Sequence, residues 1–271
     1  MRTVDRLPGR RDAVVVGGVS AVYLLVTLLE NALRSAFQFP LLSVLELTTA
    51  LPLPLVLVLG PTSLVGVPVG YVLSDVASSA VGPGTLVGVC AHLYLGYSAG
   101  AVARRVDVGS AVPSPTTTGM DALARYLLVA GVSAAGAAAV FGWGNEVVQT
   151  TPFFVATPLS FGEFLVLNLL VGLPVVGLFR RVAVGALPVG RPDPGTGGSG
   201  GELELLGVVL ATATWVIGGV VWSLGYRTVA GFPQGPLAAR VQVVFGAVLL
   251  SVILALLAGS RSRRGNGVLW D

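Results

Sequence analysis

Apolar runs of about 20 residues recur along this chain, separated by short polar or Gly/Pro-rich breaks, and a helix of that length crosses a hydrocarbon core of about 30 Å. The runs fall at roughly 13–29, 41–59, 62–80, 85–103, 121–141, 159–179, 203–225 and 237–258. The pattern predicts an all-α membrane protein, a polytopic bundle of about eight transmembrane helices. A basic N-terminus at 1–12 leads into a six-helix transmembrane unit at 13–183. A Gly/Pro-rich linker at 184–202, a C-terminal helix pair at 203–258 and a basic tail at 259–271 follow.

Breaks inside this pattern shape the expectation further. Pro52 and Pro54 interrupt the second run, with Glu46 about a turn and a half inside it, and prolines at that depth free carbonyls that neighbouring helices must satisfy. Gly60-Pro61 and Gly82-Pro83-Gly84 make tight turns. Residues 142–158 read as an interfacial loop, with Trp143, Phe153 and Phe154 suited to the headgroup layer. The first run passes into Glu30 and Arg34 without a small-residue cleavage site, so it is expected to be retained.

Composition narrows the chemistry. Of the 271 residues, 54% are hydrophobic and 11% charged, with mean hydropathy +0.86. All 16 basic residues are arginine. Without lysine there is no P-loop and no Schiff base, so any ATP used must be hydrolysed by another subunit. The lone Cys90 excludes an internal disulfide and multi-cysteine metal sites, and no cofactor or metal is expected. The net charge of +3 comes mainly from membrane-flanking arginines and argues for membrane lipid rather than nucleic acid. Alternating the eight runs across the membrane puts 13 of the 16 arginines on the N-terminal side and leaves Arg34, Arg227 and Arg240 on the other. By the positive-inside rule both termini are expected in the cytoplasm, in a multi-pass protein of the cell membrane.

Ionisable groups inside a membrane are costly and mark candidate sites. Under this topology Glu46, Asp75, His92, Asn145, Glu146 and Glu163 all fall toward the outer end, with Glu30 and Arg34, and they are the candidate substrate-binding residues. Such a layer would favour a cationic or hydrogen-bond-donating small molecule, with Tyr94, Tyr97, Trp143, Phe153 and Phe154 available to stack on it. The plainer alternatives are that Glu30, Glu46 and Glu163 snorkel to water, that His92 is a bonded core residue, and that Asn168 bridges helices. Small residues recur on the third and fourth runs (Gly66, Gly70, Gly88, Gly96, Gly100) and let helices approach closely. Ala13, Gly17 and Ala21 form a small-residue stripe on the first run, a candidate partner-binding face.

The segment LGPTSLVGVPVGYVLSDVASSAVGPG, 59–84, followed by LYLGYSAGAVARR, 93–105, resembles the substrate-binding S components of energy-coupling-factor transporters, and more distantly related membrane sensor modules. The shared features are Gly60-Pro61 before a small-residue helix with Gly66 and Gly70, the late acidic Asp75, and a Gly-rich helix from Gly96 ending at Arg104-Arg105. The resemblance covers roughly residues 10–182. It implies a pocket opening outward for a small nutrient, and docking of the Ala13, Gly17, Ala21 stripe on a transmembrane coupling subunit that works with separate ATPases. The last two runs depart from that pattern.

The expected function is therefore substrate binding for transport, and the alternative is a membrane sensor or interaction module. Enzymatic activity is not expected. Di-iron chemistry needs several histidines, and a hydrolase using Ser74, Asp75 or Ser98 with His92 lacks a nucleophile elbow.

Overall fold

The computed structural model describes residues 9–37, 46–106, 119–183, 200–228 and 236–259, and all regular structure among them is helical. Helix α1 spans Arg10–Phe37, α2 Pro52–Leu59, α3 Ser63–Ala77, α4 Pro83–Arg105 and α5 Gly119–Val147. Helix α6, Phe153–Leu167, passes through a π-helical turn at Asn168–Gly172 into α7, Leu173–Ala183, and α8 (Gly200–Thr228) and α9 (Pro236–Gly259) close the order. Six helical stretches are long and apolar enough to cross a membrane, and two shorter apolar ones, Leu47–Leu59 and Ser63–Ala77, lie between the first and second of them. The described residues are all-helical, and their several apolar helices fit a multi-pass membrane protein. Large apolar side chains such as Leu25, Leu28, Leu206 and Ile217 cover its outside, as a lipid-facing surface requires.

Contacts fix the directions of the segments. Asp12 meets Thr62 and Asn31 meets Ser78, so α1 and α3 run parallel while the segment between them runs back. Tyr71 of α3 lies against Gly88 of α4, and Leu64 against Gly96, so α4 descends beside α3. The same alternation continues to α9. One end of the bundle carries Glu30, Glu46, Glu146 and Arg227, and the opposite end carries Asp12, Arg105 and Glu204.

Helix α4 is the central post. Its spanning window is 72% buried, against 22% for those of α1, α8 and α9. Its many small residues (Ala91, Gly96, Ala99, Gly100, Ala101) leave room for α2, α3, α5, α8 and α9 to pack around it. Local signals end it cleanly: Pro83 sits in the first turn, the Gly82 N–H donates to the Thr85 hydroxyl at 3.0 Å, and Arg104 and Arg105 occupy the last turn where the helix dipole favours cations.

The region read as an interfacial loop, 142–158, is mostly helix, because α5 continues to Val147 and α6 starts at Phe153, leaving only 148–152 as the turn between them. Phe153 is fully buried against Gly219 of α8, and the Trp143 indole packs edge-on to Trp215 and donates to the Val243 carbonyl at 3.2 Å. These aromatics join the C-terminal pair to the rest instead of meeting headgroups. Of the expected linker, Gly200 to Glu202 belong to α8, and 184–199 lie outside the described residues.

Helix α1 packs closely on α3. A methyl group on Gly70 would sit 2.6 Å from the Tyr23 Cβ and 3.1 Å from the Ser20 backbone, while around Gly17 nothing lies within 4 Å. Gly70→Ala is therefore expected to lower stability by about 1–3 kcal/mol, the cost of overpacking. Gly17→Ala should leave it unchanged within about 0.5 kcal/mol, as for other exposed sites. Thermal unfolding of the two variants in one detergent checks the contrast.

Candidate functional site

The site is built on a broken helix. Proline has no N–H and a fixed φ, so the pair Pro52 and Pro54 is tolerated in the first turn of a helix and not in its middle. Accordingly α2 begins at Pro52, and Leu47–Ala50 form a 3₁₀ turn ahead of it. Glu46 is not inside a helix, as the apolar run predicted. It is the extended residue before the turn, with φ −103° and ψ 101°.

That geometry leaves the leading N–H groups needing acceptors away from bulk water. Two carboxylates from flanking helices supply them. The Glu46 N–H donates to Glu163 Oε1 of α6 at 2.6 Å, and the Leu47 N–H donates to Glu30 Oε2 of α1 at 3.0 Å. Glu30 is only 4% exposed and is ion-paired with Arg34 one turn on. Glu30 and Glu163 thus cap a helix start and do not snorkel. The Thr48 hydroxyl donates to Glu46 Oε1 at 2.9 Å, and Thr49 Oγ1 to the Glu46 carbonyl at 2.7 Å. Behind the turn, Asn168 Nδ2 donates to the Phe164 carbonyl at 2.7 Å and reaches the Thr49 carbonyl at 3.4 Å. The Asn168 carbonyl accepts the Tyr126 hydroxyl at 2.7 Å.

Beside this capped turn lies a close-packed aromatic cluster. His92 of α4 is 1% exposed and is surrounded by Tyr71 (ring centroids 4.6 Å apart), Phe164 (6.0 Å) and Tyr23 (6.1 Å). His92 Nδ1 lies 2.9 Å from the Gly88 carbonyl, which assigns the proton to Nδ1 and leaves Nε2 as a bare acceptor. Among the described residues neither Nε2 nor the buried Tyr23 hydroxyl has a hydrogen-bond partner. The Glu46 carboxylate is close enough to act electrostatically on His92, Tyr23 and Tyr71, and Asp75 acts on His92 and Tyr71. Two carboxylates therefore lie within electrostatic range of an imidazole nitrogen and a phenol that have no partner among the described residues. Among the described residues no three of His, Cys, Asp and Glu converge as a metal-ligand set.

Of the sequence candidates, Glu46, Asp75, His92 and Glu163 come together here with Glu30. Asn145 and Glu146 reach the same end of the bundle but join a different structure. Glu146, with a side chain 3% exposed, accepts from the Phe153 N–H, from Ser223 Oγ at 2.9 Å, from the Tyr226 hydroxyl and from Arg227 Nη2 at 2.7 Å. These donors occupy both carboxylate oxygens and pin α8 to α5. Asn145 closes the turn after α5, donating to the Phe141 carbonyl at 2.9 Å and accepting from Thr150 Oγ1 at 2.6 Å. Ala13, Gly17 and Ala21 lie on the exposed face of α1, away from α3.

Sequence inspection missed the rings of this cluster. Tyr94 packs against Gly136 in the core, and Trp143 meets the C-terminal pair. Tyr23, Tyr71 and Phe164 are the rings that lie around His92. The available signals were the spacing of Tyr71 four residues before Asp75, and a single tyrosine in an aliphatic first helix. No protein-family profile matches the chain, and neither a curated protein nor a solved structure does.

Glu146→Gln removes the charge that gathers these donors. Arg227 is 41% exposed, so solvent screens its share and holds the expected loss to about 1–3 kcal/mol, below that of a fully buried pair. A double-mutant cycle with Arg227→Gln, read by thermal unfolding, should give a coupling energy above about 0.5 kcal/mol, and additive losses would show that the pair does not hold α8.

Proposed function

We propose that this chain is the substrate-binding subunit of a transporter for a small nutrient, of the energy-coupling-factor S-component type, with energy supplied by a separate ATPase. The observation that carries the reading is the cluster beside Glu46: a half-buried carboxylate, the bare Nε2 of His92 and the Tyr23 hydroxyl, both unpartnered among the described residues, flanked by Tyr71 and Phe164. A ligand fits it by offering a cation or N–H donor to Glu46 and Nε2, an acceptor to the tyrosine, and a flat face to the rings. Broken helices with polar termini are the common way for a transporter to build such a site inside a membrane.

In this reading the protein is not an enzyme and crosses the cell membrane eight times, with both termini cytoplasmic. The two short stretches supply the second and third crossings. Leu47–Leu59 covers only about 20 Å as a helix, less than a hydrocarbon core of about 30 Å, so its start lies below the outer surface at the floor of a polar inlet. The alternation of helix direction and the gathering of Arg105, Arg125 and Glu204 at the end opposite Glu46 support this arrangement. The Ala13, Gly17, Ala21 face, open in the isolated chain, is where the coupling subunit docks.

Native mass spectrometry of gently extracted protein should show a bound small molecule or a copurifying membrane subunit. Glu46→Gln and Asp75→Asn should each weaken ligand binding about 10- to 100-fold, the loss of one hydrogen bond to a charged group, while leaving insertion intact. Ligand-dependent thermal shifts across a metabolite panel measure this. No shift with the unaltered protein and no copurifying subunit would remove the transport reading, and capture of a signalling protein instead would favour a sensor.

A further inference from the structure

An open groove lies on the lipid-facing side where the C-terminal pair meets the six-helix unit, lined by faces of the helices other than those turned to His92. It holds about 380 Å³ between α5, α6 and α8, with walls formed by Val132, Pro158 and Phe161 on one side and Val209, Val216 and Val220 on the other. For scale, a dry cavity of about 150 Å³ holds benzene. Charged residues are absent from its lining.

Helical phase extends this groove to a charge. On α8 the lining residues Val209, Ala213, Val216 and Val220 recur at three- and four-residue intervals, and seven residues beyond Val220, two turns along the same face, stands Arg227. Its Nη2 donates to Glu146, its Nε to the Tyr226 hydroxyl at 3.1 Å, and 41% of the side chain remains exposed. Depth agrees with phase. Measured from the middle of α8, Val209 and Val220 lie within about 10 Å, inside a hydrocarbon half-thickness of about 15 Å, and Arg227 lies about 20 Å out, at headgroup level.

We propose that this groove is a phospholipid site, in which one hydrocarbon chain lies between α6 and α8 and the lipid phosphate sits against Arg227. The occupant follows from the chemistry of the walls and from the solvent they face. A groove apolar but for the Thr157 and Thr212 hydroxyls, opening sideways among membrane-spanning helices, admits a chain from the bilayer, and a guanidinium at headgroup depth beyond it selects phosphate. The lipid then bridges the two parts of the fold along the seam that Glu146 closes at its top. This does not depend on the transport reading.

The test is lipid retention by the full-length protein in detergent, followed by native mass spectrometry after mild delipidation and titration with phosphatidylglycerol or with diacylglycerol of the same chains. The unaltered protein should retain one phosphatidylglycerol and bind it at least 10-fold more tightly than diacylglycerol. Ala213→Phe, which fills the groove from α8, should lower phosphatidylglycerol binding at least 10-fold. Leu210→Phe, an exposed residue outside the groove, should not, and equal thermal unfolding of the two delipidated variants excludes misfolding. Arg227→Gln should erase the preference for phosphatidylglycerol while sparing diacylglycerol. Equal retention by Ala213→Phe, equal loss of both lipids in Arg227→Gln, or a dimer that Ala213→Phe dissociates would each overturn the proposal, the last in favour of a second copy of the chain in the groove.

Discussion

Backbone N–H groups inside a membrane can be satisfied only by protein, and the start of α2 is where this chain meets that constraint most severely. Two prolines push the helix start to Pro52, so the turn ahead of it presents donors that no preceding helical carbonyl partner relieves. Glu163 and Glu30 accept two of them. Since one carboxylate rides on α6 and the other on α1, satisfying the turn also ties three separate parts of the bundle together. This capping holds the Glu46 segment against α1 and α6, beside the aromatic cluster around His92.

The same logic, with polar groups as glue where apolar contact gains little over lipid, explains how the C-terminal pair stays in place. At one end Glu146 gathers donors from α6 and α8. At the other, Arg105 of α4, only 5% exposed, donates to Glu204 of α8 at 3.3 Å and to the Leu256 and Leu257 carbonyls of α9 at 2.6 and 3.3 Å. Those carbonyls belong to the last turn of α9, where a helix lacks its own donors and attracts a cation. Between these anchors the contact is aromatic and close, with Trp143 meeting Gly246, Phe153 meeting Gly219, and Trp215 edge-on to Trp143. A pair of helices that reads as an appendage is packed as part of the bundle.

Much of the architecture was legible in the order of residues. Run lengths require membrane-length helices, the arginine distribution separates two ends, and the depth of Glu46, Asp75, His92 and Glu163 in their runs places them near one end. What the runs could not convey was which of these groups face each other, because hydropathy reports depth and says nothing about azimuth. Glu146 and Glu163 have similar depth, yet one joins α8 and the other caps the 46–47 backbone. Trp143 and Phe153 looked interfacial for the same reason: they stand beside glycines and polar residues in sequence, and only the approach of α8 and α9 buries them.

The sequence by itself determined a lysine-free, arginine-flanked, multi-pass helical protein with a polar layer toward one end, since these properties follow from composition and from periods along a single chain. Tertiary structure decided that the proline pair begins a helix instead of kinking one, that Glu30 and Glu163 serve as its caps, and that Tyr23, Tyr71 and Phe164 enclose an imidazole with a bare nitrogen. Each of those outcomes depends on which faces of different helices meet. That is set by the packing of small residues such as Gly66 and Gly70 against Val19 and Tyr23, a matter of ångström-scale fit between distant segments.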